Sequence, residues 1–251
     1  MKYFGKVSYS GERYNGFQRQ KKLLTVQGEL EKQLSFLCGQ PTLIKAAGRT
    51  DAGVHAKGQT FSFESKSIPD VATFLKAMNR LLPEDIYVLE LKEVEDSFDA
   101  RHSCCGKIYQ YRFSVNHRYP LLTGKIAQLR RDDFHLEAFL QALNEFNGTH
   151  NFQNFTTKPE DNHGFIRTVK VLDPVVEDEG NLITITFVGT GFMRYQIRFM
   201  VGAAIRVATN RLTVEEIRAR LNQSKREIMP FKAPAEGLCL MEVLYEKPAS
   251  L

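Results

Sequence analysis

The chain reads GRTDAGVH from Gly48 to His55, and the predicted fold is centred on this stretch. It lies between two runs of alternating apolar residues, 42–47 and 59–64, a pattern typical of two strands joined by a loop. Its two glycines permit backbone angles and close approaches that a side chain would block. Between them lies Asp51, beside an arginine and a hydroxyl. Because an Asp followed by Ala-Gly is also an ordinary turn, the loop alone leaves Asp51 as either a turn residue or a reactive carboxylate.

Length and composition restrict the class of protein. The 251 residues suffice for one large domain or two small ones, and 43% hydrophobic with 25% charged residues is ordinary for a globular protein. No apolar run is long enough to span a bilayer, and the N-terminus passes directly into a strand pattern, so we expect a cytoplasmic protein without a signal peptide. The net charge of +5 permits a polyanionic partner without requiring one.

The cysteines are predicted to be free thiols. None of the four belongs to a C-x-x-C pair, and adjacent cysteines do not readily bridge each other. A zinc site is the alternative, but its spacing matches no usual ligand pattern. The candidate ligands would be Cys104, Cys105, His102 and His55.

The first half of the chain predicts a ferredoxin-like unit. Strand patterns cover 2–9 and 86–94 as well as the two runs around the loop. Two amphipathic helices, capped by Thr25 and Asp70, lie between these strands; the second is expected to bury Val71, Phe74, Leu75, Met78 and Leu82. The order strand, helix, strand, strand, helix, strand is that of the split β-α-β motif.

The same order recurs in the second half. Strands are predicted at 107–115, 166–171, 182–188 and 238–246, with a helix capped by Asp132 or Asp133, a long helix from near Phe192 to about Ala208, and a shorter one at 214–221. We therefore expect an α+β protein of two tandem ferredoxin-like units with antiparallel sheets, covering residues 1–104 and 105–251. A cleft between two such units is where a site is expected.

Four other stretches carry candidate functional residues. Residues 10–20 interleave aromatics with arginines and amides, which suits stacking on RNA bases but also a solvated loop. Tyr109 lies in an alternating strand, where a half-buried aromatic is the simpler interpretation. Arg194 and Arg198 are four apart and share a helix face, although such arginines often only reach water. The fourth stretch, 233–238, reads APAEGL.

Taken together, these blocks resemble the TruA-type tRNA pseudouridine synthase family. The loop GRTDAGVH matches that family's signature residue for residue, and FDAR at 98–101, KIYQY at 107–111, the helix at 192–202 and APAEGL match its other motifs in order. Phe17 stands where the family pattern has Trp, which keeps an aromatic ring for packing but removes the indole donor. The resemblance covers essentially the whole chain.

The resemblance implies an isomerase, an intramolecular transferase that converts uridine to pseudouridine at positions 38 to 40 in the anticodon stem-loop of tRNA. Asp51 would act as a covalent nucleophile or as a base. Tyr109 would contact the target base, and Arg198 would keep the carboxylate ionised. Arg49 would contact the RNA backbone or fill the gap left by a base turned out of the helix. Arg19 and Arg194 are further candidates for RNA binding. No cofactor, metal or membrane is implied, and the enzyme would be a homodimer.

Two other classes of protein are alternatives to this interpretation. An RRM has the same order of elements, and residues 57–63 faintly resemble its third-strand motif, but Gln59 and Thr60 replace the expected aromatic and small residues. A metal-dependent hydrolase could use Asp51 and His55, but the sequence has no second acidic cluster to hold a cation.

Overall fold

The computed structural model describes residues 1–157, 164–223 and 225–246. Within them the chain has a mixed α/β fold with mostly antiparallel strands and five α-helices. It divides into two compact units, residues 1–105 with 239–246 and residues 106–238. Among the described residues, no helix has the length and apolarity needed to cross a membrane.

The first unit follows the predicted order of elements. Its strands and helices are β1 (Lys2–Tyr9), α1 (Val26–Cys38), β2 (Ile44–Ala46), β3 (His55–Glu64), α2 (Val71–Leu81) and β4 (Ile86–Val94). The last strand of the chain, which starts at Leu238 and ends at Leu244, lies with this unit from Cys239 onward.

The sheet of the first unit is built around β3. One edge of β3 pairs antiparallel with β1, and β1 pairs antiparallel with β4. On the other edge, β2 pairs with the end of β3, while the last strand pairs parallel with its beginning, Cys239 opposite His55. The sheet therefore holds both ends of the 47–54 loop, because the loop leaves β2 and enters β3.

Both predicted helix caps in this unit are confirmed. The Thr25 hydroxyl accepts a hydrogen bond from the Gly28 amide, and the Asp70 carboxylate accepts one from the Thr73 amide. The apolar stripe predicted for α1 comprises Val26, Leu30, Leu34 and Leu37; the first three are fully buried and Leu37 is half-buried. The predicted stripe on α2 is only partly buried: Met78 and Leu82 are enclosed, whereas Val71, Phe74 and Leu75 are half-buried.

The second unit contains more elements than predicted. They are β5 (Gly106–Val115), β6 (Ala127–Leu129), α3 (Leu136–Asn144), β7 (Gly148–Asn151), β8 (Ile166–Val171), β9 (Val175–Glu177), β10 (Leu182–Gly189), α4 (Gln196–Ala208) and α5 (Val214–Asn222); the last strand of the chain is β11 (Leu238–Leu244). In sheet order, β5, β10, β8 and β7 are antiparallel neighbours, with β6 beside β5 and β9 beside β10. The short strands β6 and β7 lie between the elements predicted from the sequence.

Two predicted helix starts are wrong. Helix α3 does not use Asp132 or Asp133 as a cap; it begins at Leu136 after His135, whose side chain makes no capping bond. Helix α4 begins at Gln196 and not near Phe192, because Tyr195 takes a left-handed backbone conformation with φ of 62°. A left-handed residue cannot continue an α-helix, so residues 190–194 remain outside it.

Helix α4 forms the centre of the second unit's core. Nearly every residue from Gln196 to Ala208 is buried, and the helix packs on α3. Phe139 of α3 meets Phe113 of β5 edge to face, with ring centroids 5.3 Å apart. All four cysteines lie in the described residues and none forms a disulfide, as predicted.

Helix α5 begins with a capping box that can be tested directly. The Thr213 hydroxyl accepts from the Glu216 amide, and the Glu216 carboxylate accepts from the Thr213 amide. We expect Thr213→Ala to lower the free energy of unfolding by about 1 kcal/mol, measured by urea denaturation, and Thr213→Ser to restore most of it. Equal losses in both variants would contradict a capping role for the hydroxyl.

Candidate active site

The Asp51 loop connects β2 to β3 in the first unit. Asp51 is half-buried, Arg49 is exposed and Thr50 is buried. Strand β3 begins earlier than predicted, at His55, so that this histidine belongs to the strand and not to the loop. The loop is tied to the strand at its start as well, because the Gln59 amide donates to the Gly48 carbonyl at 3.0 Å.

Thr50 fixes the loop immediately before Asp51. Its hydroxyl is hydrogen-bonded to the Tyr9 hydroxyl at 2.8 Å, and its carbonyl accepts from the Phe17 amide at 3.1 Å. Burial raises the pKa of Tyr9 well above its ordinary value, so that the phenol stays neutral and keeps a proton to share. The backbone on one side of Asp51 is therefore held by a buried strand and by the 10–17 segment.

The 10–17 segment also packs against the other side of the loop. The Gly53 amide donates to the Tyr14 carbonyl at 3.4 Å, and the Gly11 amide donates to Nδ1 of His55 at 3.2 Å. A Cβ on Gly11 would lie 2.0 Å from the Val54 carbonyl oxygen, so only glycine permits this approach. Because Nδ1 accepts a hydrogen bond, the proton of a neutral His55 belongs on Nε2.

Asp85 anchors the 10–17 segment. Its carboxylate accepts from the Tyr14 hydroxyl at 2.6 Å and from Nε of Arg13 at 2.7 Å, and its carbonyl accepts from the Ser10 amide at 2.9 Å. Partial burial alone would raise the pKa of Asp85, but the bonds from Arg13 and Tyr14 outweigh it and the pKa is lowered. An ionised Asp85 therefore supports the segment that supports the loop.

Arg19, a predicted RNA contact, has a protein partner. Its Nη1 donates to the Glu31 carboxylate at 2.7 Å, while its side chain remains 52% exposed. Glu31 is buried and also accepts from the Ile44 amide at 3.1 Å. Glu31 thus joins α1 to β2, and Arg19, bound to the same carboxylate, still presents part of its guanidinium to solvent.

Tyr109 lies on β5 in the second unit, opposite Phe187 of β10. Its ring meets Phe192 edge to face, with centroids 5.3 Å apart, and the side chain is only 7% exposed. The simpler interpretation, a strand aromatic, therefore describes its packing. Its contact with Phe192 places it close to the segment that leads into α4.

Arg194 lies just before α4 and Arg198 lies in its first turn, so the prediction that they share a helix face is wrong, and their environments differ. Arg194 is exposed, and its Nη2 donates to the Tyr195 hydroxyl at 2.9 Å. Arg198 is 9% exposed; its Nε donates to the Ala233 carbonyl at 2.7 Å, while the Ala233 amide donates to the Arg198 carbonyl at 2.8 Å. Arg198 is therefore fixed along part of its length, as a positioning role requires.

Gly202 allows the 231–233 segment to lie directly on α4. A Cβ at this position would be 2.5 Å from the Phe231 carbonyl oxygen and 3.1 Å from the Ala233 amide nitrogen. The paired hydrogen bonds between Arg198 and Ala233 depend on the same close approach. The glycine thus determines how Arg198 is held.

The predicted site residues fall into two groups. Arg49 and Asp51 share one loop of the first unit, and Arg19 follows the 10–17 segment of the same unit, whereas Tyr109, Arg194 and Arg198 belong to the second unit. Sequence reasoning missed the residues that hold these groups in place. Their partners are distant in the chain, and no local pattern marks them. They are Tyr9, Thr50, Asp85, Tyr195 and Lys232.

No three His, Cys, Asp or Glu side chains within the described ranges gather as a metal site would require.

A match to a known protein family identifies the class of this protein. A family described as tRNA pseudouridine synthase matches residues 6–103 and 142–246, which include the Asp51 loop and α4. The protein is thus an isomerase that acts on a nucleoside within RNA. The chain belongs to the tRNA pseudouridine synthase family.

Curated relatives match along nearly their whole length. Proteins named tRNA pseudouridine synthase A are 34% identical in Clostridium kluyveri and in Streptococcus suis, covering 95% and 96% of this chain and 97% of each relative. The protein of that name from Anoxybacillus flavithermus is 36% identical over 242 residues, again 97% of its length. The family assignment replaces the RRM and the metal-dependent hydrolase as interpretations of the sequence.

Asp85→Asn tests the anchoring of the 10–17 segment. We expect the free energy of unfolding at pH 7 to fall by about 1–2 kcal/mol, because hydrogen bonds to a charged group are lost. The folded-state pKa is lowered, so the contribution is present above the unfolded value of about 3.9 and is lost as the pH falls through the folded value.

The difference in the free energy of unfolding between the wild type and Asp85→Asn, measured by urea denaturation, should therefore become smaller below about pH 4. Glu84→Gln is the matched control, since Glu84 is an exposed carboxylate next to Asp85 in the chain. A difference that is constant with pH would show that the carboxylate charge is not what Asp85 contributes.

Gly202→Ala tests the contact between α4 and the 231–233 segment. The added Cβ must displace backbone, so we expect a loss of about 1–3 kcal/mol in the free energy of unfolding. Gly191→Ala serves as the control, because a Cβ there meets nothing within 4 Å and its stability should be unchanged or slightly higher. Equal stability of the two variants in thermal denaturation would contradict the close approach.

Proposed function

We propose that this enzyme converts uridine to pseudouridine at positions 38 to 40 in the anticodon stem-loop of tRNA, with Asp51 as the catalytic carboxylate. The observation that carries the proposal is the support of Asp51. Backbone groups on both sides of it, at Thr50 and Gly53, are hydrogen-bonded to the 10–17 segment, and the carboxylate is neither fully buried nor fully exposed. A reacting carboxylate needs this combination of fixed position and access.

The reaction sets clear demands on the site. The bond between N1 of uracil and C1′ of ribose breaks, the base turns, and C5 forms a new bond to C1′. The hydrogen on C5 leaves as a proton, while N1 gains one. Because the atoms are only rearranged and no electrons are lost, the proposal includes neither a redox cofactor nor a metal ion. Asp51 would act either by attacking covalently or by removing a proton from the ribose.

The other candidate residues take the roles expected from the resemblance. Tyr109 would contact the target base, and Arg198 would keep the catalytic carboxylate ionised. The hydrogen bond from its Nε to the Ala233 carbonyl limits how far Arg198 can move. Arg49 and Arg194, both exposed, are available to RNA phosphates. Arg19 would contribute only the part of its guanidinium that Glu31 leaves accessible.

The proposal also covers architecture and assembly. The order β4-β1-β3-β2 and the two helices of the first unit support a split β-α-β plan, and we propose a variant of the same plan for the second unit. The predicted boundary between residues 104 and 105 lies within one residue of the break between the compact units, although β11 lies mostly with the first. We extend to this chain the homodimer and the cytoplasmic location that the resemblance implies.

Tritium release from tRNA labelled at uridine C5 tests the chemistry. We expect release by the wild type with EDTA present and no cofactor added, and a loss of at least about a thousandfold in Asp51→Asn and Asp51→Ala, because the reacting group is gone. Asp96→Asn, which changes an exposed carboxylate elsewhere in the first unit, should keep full activity.

Binding and position controls complete this test. Asp51→Asn should bind tRNA as the wild type does, which separates lost chemistry from lost binding. Transcripts with cytidine at 38 to 40 should release no tritium. Release by both Asp51 variants would identify another residue as the reactive group, and release from the cytidine-substituted transcripts would move the target elsewhere in the tRNA.

A further inference from the structure

Three cationic groups of the second unit surround the ring of Tyr195. The Nζ of Lys232 lies 3.9 Å from the ring centroid, the Cζ of Arg194 lies 4.8 Å away and the Cζ of Arg198 lies 5.3 Å away. Arg194 and Lys232 are exposed, whereas Arg198 is almost enclosed. We refer to Arg194, Tyr195 and Lys232 as the Tyr195 cluster.

The described parts of the chain leave the positive charge of the cluster without a neutralising carboxylate. Among the residues that the structure describes, no carboxylate lies within ion-pair distance of Arg194 or Lys232, whose contacts are with the Tyr195 ring and hydroxyl. Like charges held this close together repel each other, and an anion between them relieves the repulsion. The arrangement is therefore suited to a ligand of negative charge.

The aromatic ring explains how the two cations are positioned without being neutralised. A carboxylate would fix them but would also cancel their charge. A ring face attracts cations through its quadrupole and leaves their charge available to a ligand. The hydrogen bond from Arg194 to the Tyr195 hydroxyl orients the guanidinium further.

The backbone position of Lys232 is determined by the fold. Its neighbour Ala233 is joined to Arg198 by two hydrogen bonds, at 2.7 and 2.8 Å, and Gly202 removes the side chain that would hold the 231–233 segment away. Tyr195 occupies its left-handed conformation just before α4. Two segments 37 positions apart in the chain thus bring Arg194 and Lys232 to the same ring.

We propose that the Tyr195 cluster is a binding site for a backbone phosphodiester of the RNA substrate, in which Lys232 and Arg194 contact one phosphate group and Tyr195 holds them in place. Arginine supplies a planar donor fork and lysine a compact charge, both of which suit phosphate oxygens. The choice of RNA as the source of the phosphate rests on the proposed function. No base is read at this site, because cations that face a phosphate carry no sequence information.

The salt dependence of tRNA binding tests the phosphate contact. The logarithm of the affinity falls linearly with the logarithm of the salt concentration, with a slope proportional to the number of phosphates neutralised. We expect Lys232→Gln to weaken binding by about tenfold at about 0.1 M KCl and to reduce the slope by about 0.8. Lys232→Arg should keep the wild-type slope, because it keeps the charge.

The matched control is Lys170→Gln, which removes an exposed lysine of the same unit that contacts no aromatic ring. Its slope should equal that of the wild type. A Lys232→Gln variant with the wild-type slope would overturn the proposal. Equal reductions in Lys232→Gln and Lys170→Gln would overturn it too, since they would show a diffuse charge effect and not a site.

Tritium release separates this inference from the proposed function. If the wild type forms pseudouridine and Lys232→Gln binds tRNA with the wild-type salt slope, the phosphate site is disproved and the proposed reaction stands. If the wild type binds tRNA but forms no pseudouridine, and only Lys232→Gln reduces the salt slope, the phosphate site stands and the proposed reaction is disproved.

Discussion

The buried hydrogen bond between Tyr9 and Thr50 is the constraint on which the candidate site depends. Both hydroxyls are enclosed, so a shift of the loop would leave two polar groups without partners, at a cost of about 1–3 kcal/mol each. Tyr9 belongs to β1, a central strand of its sheet, and cannot follow such a shift. The strand therefore determines where the residue after Thr50 lies, and that residue is Asp51.

The second unit solves a similar problem by different means. Arg198 has a flexible, charged side chain on α4, a helix that is almost wholly buried, and this side chain must be held in place. Arg198 is fixed through the carbonyl of Ala233, and this bond exists only because Gly202 lets the two segments touch. The first unit thus relies on paired hydroxyls and the second on the absence of a side chain. In each unit, a candidate site residue is held by residues that are not themselves candidates.

Much of the fold could be predicted from the sequence, and the reasons differ by element. Strands β1, β4 and β8 have the predicted bounds because alternation over six or more residues leaves little freedom. The start of α4 could not be predicted, since nothing in local propensity indicates a left-handed Tyr195. The candidate loop could be predicted from its motif, whereas the supports of the loop and the Tyr195 cluster could not, because they join residues far apart in the chain.

The parallel pairing of β11 with β3 has a consequence for synthesis on the ribosome. The edge of β3 at His55 and Ala56 is completed by Cys239 and Leu240, near the end of the chain. A nascent first unit can form its hairpins and helices early, but one stretch of strand edge stays open while the whole second unit is translated. The unit that carries Asp51 is therefore finished only after the second unit has been synthesised, so a product truncated before Cys239 cannot assemble it fully.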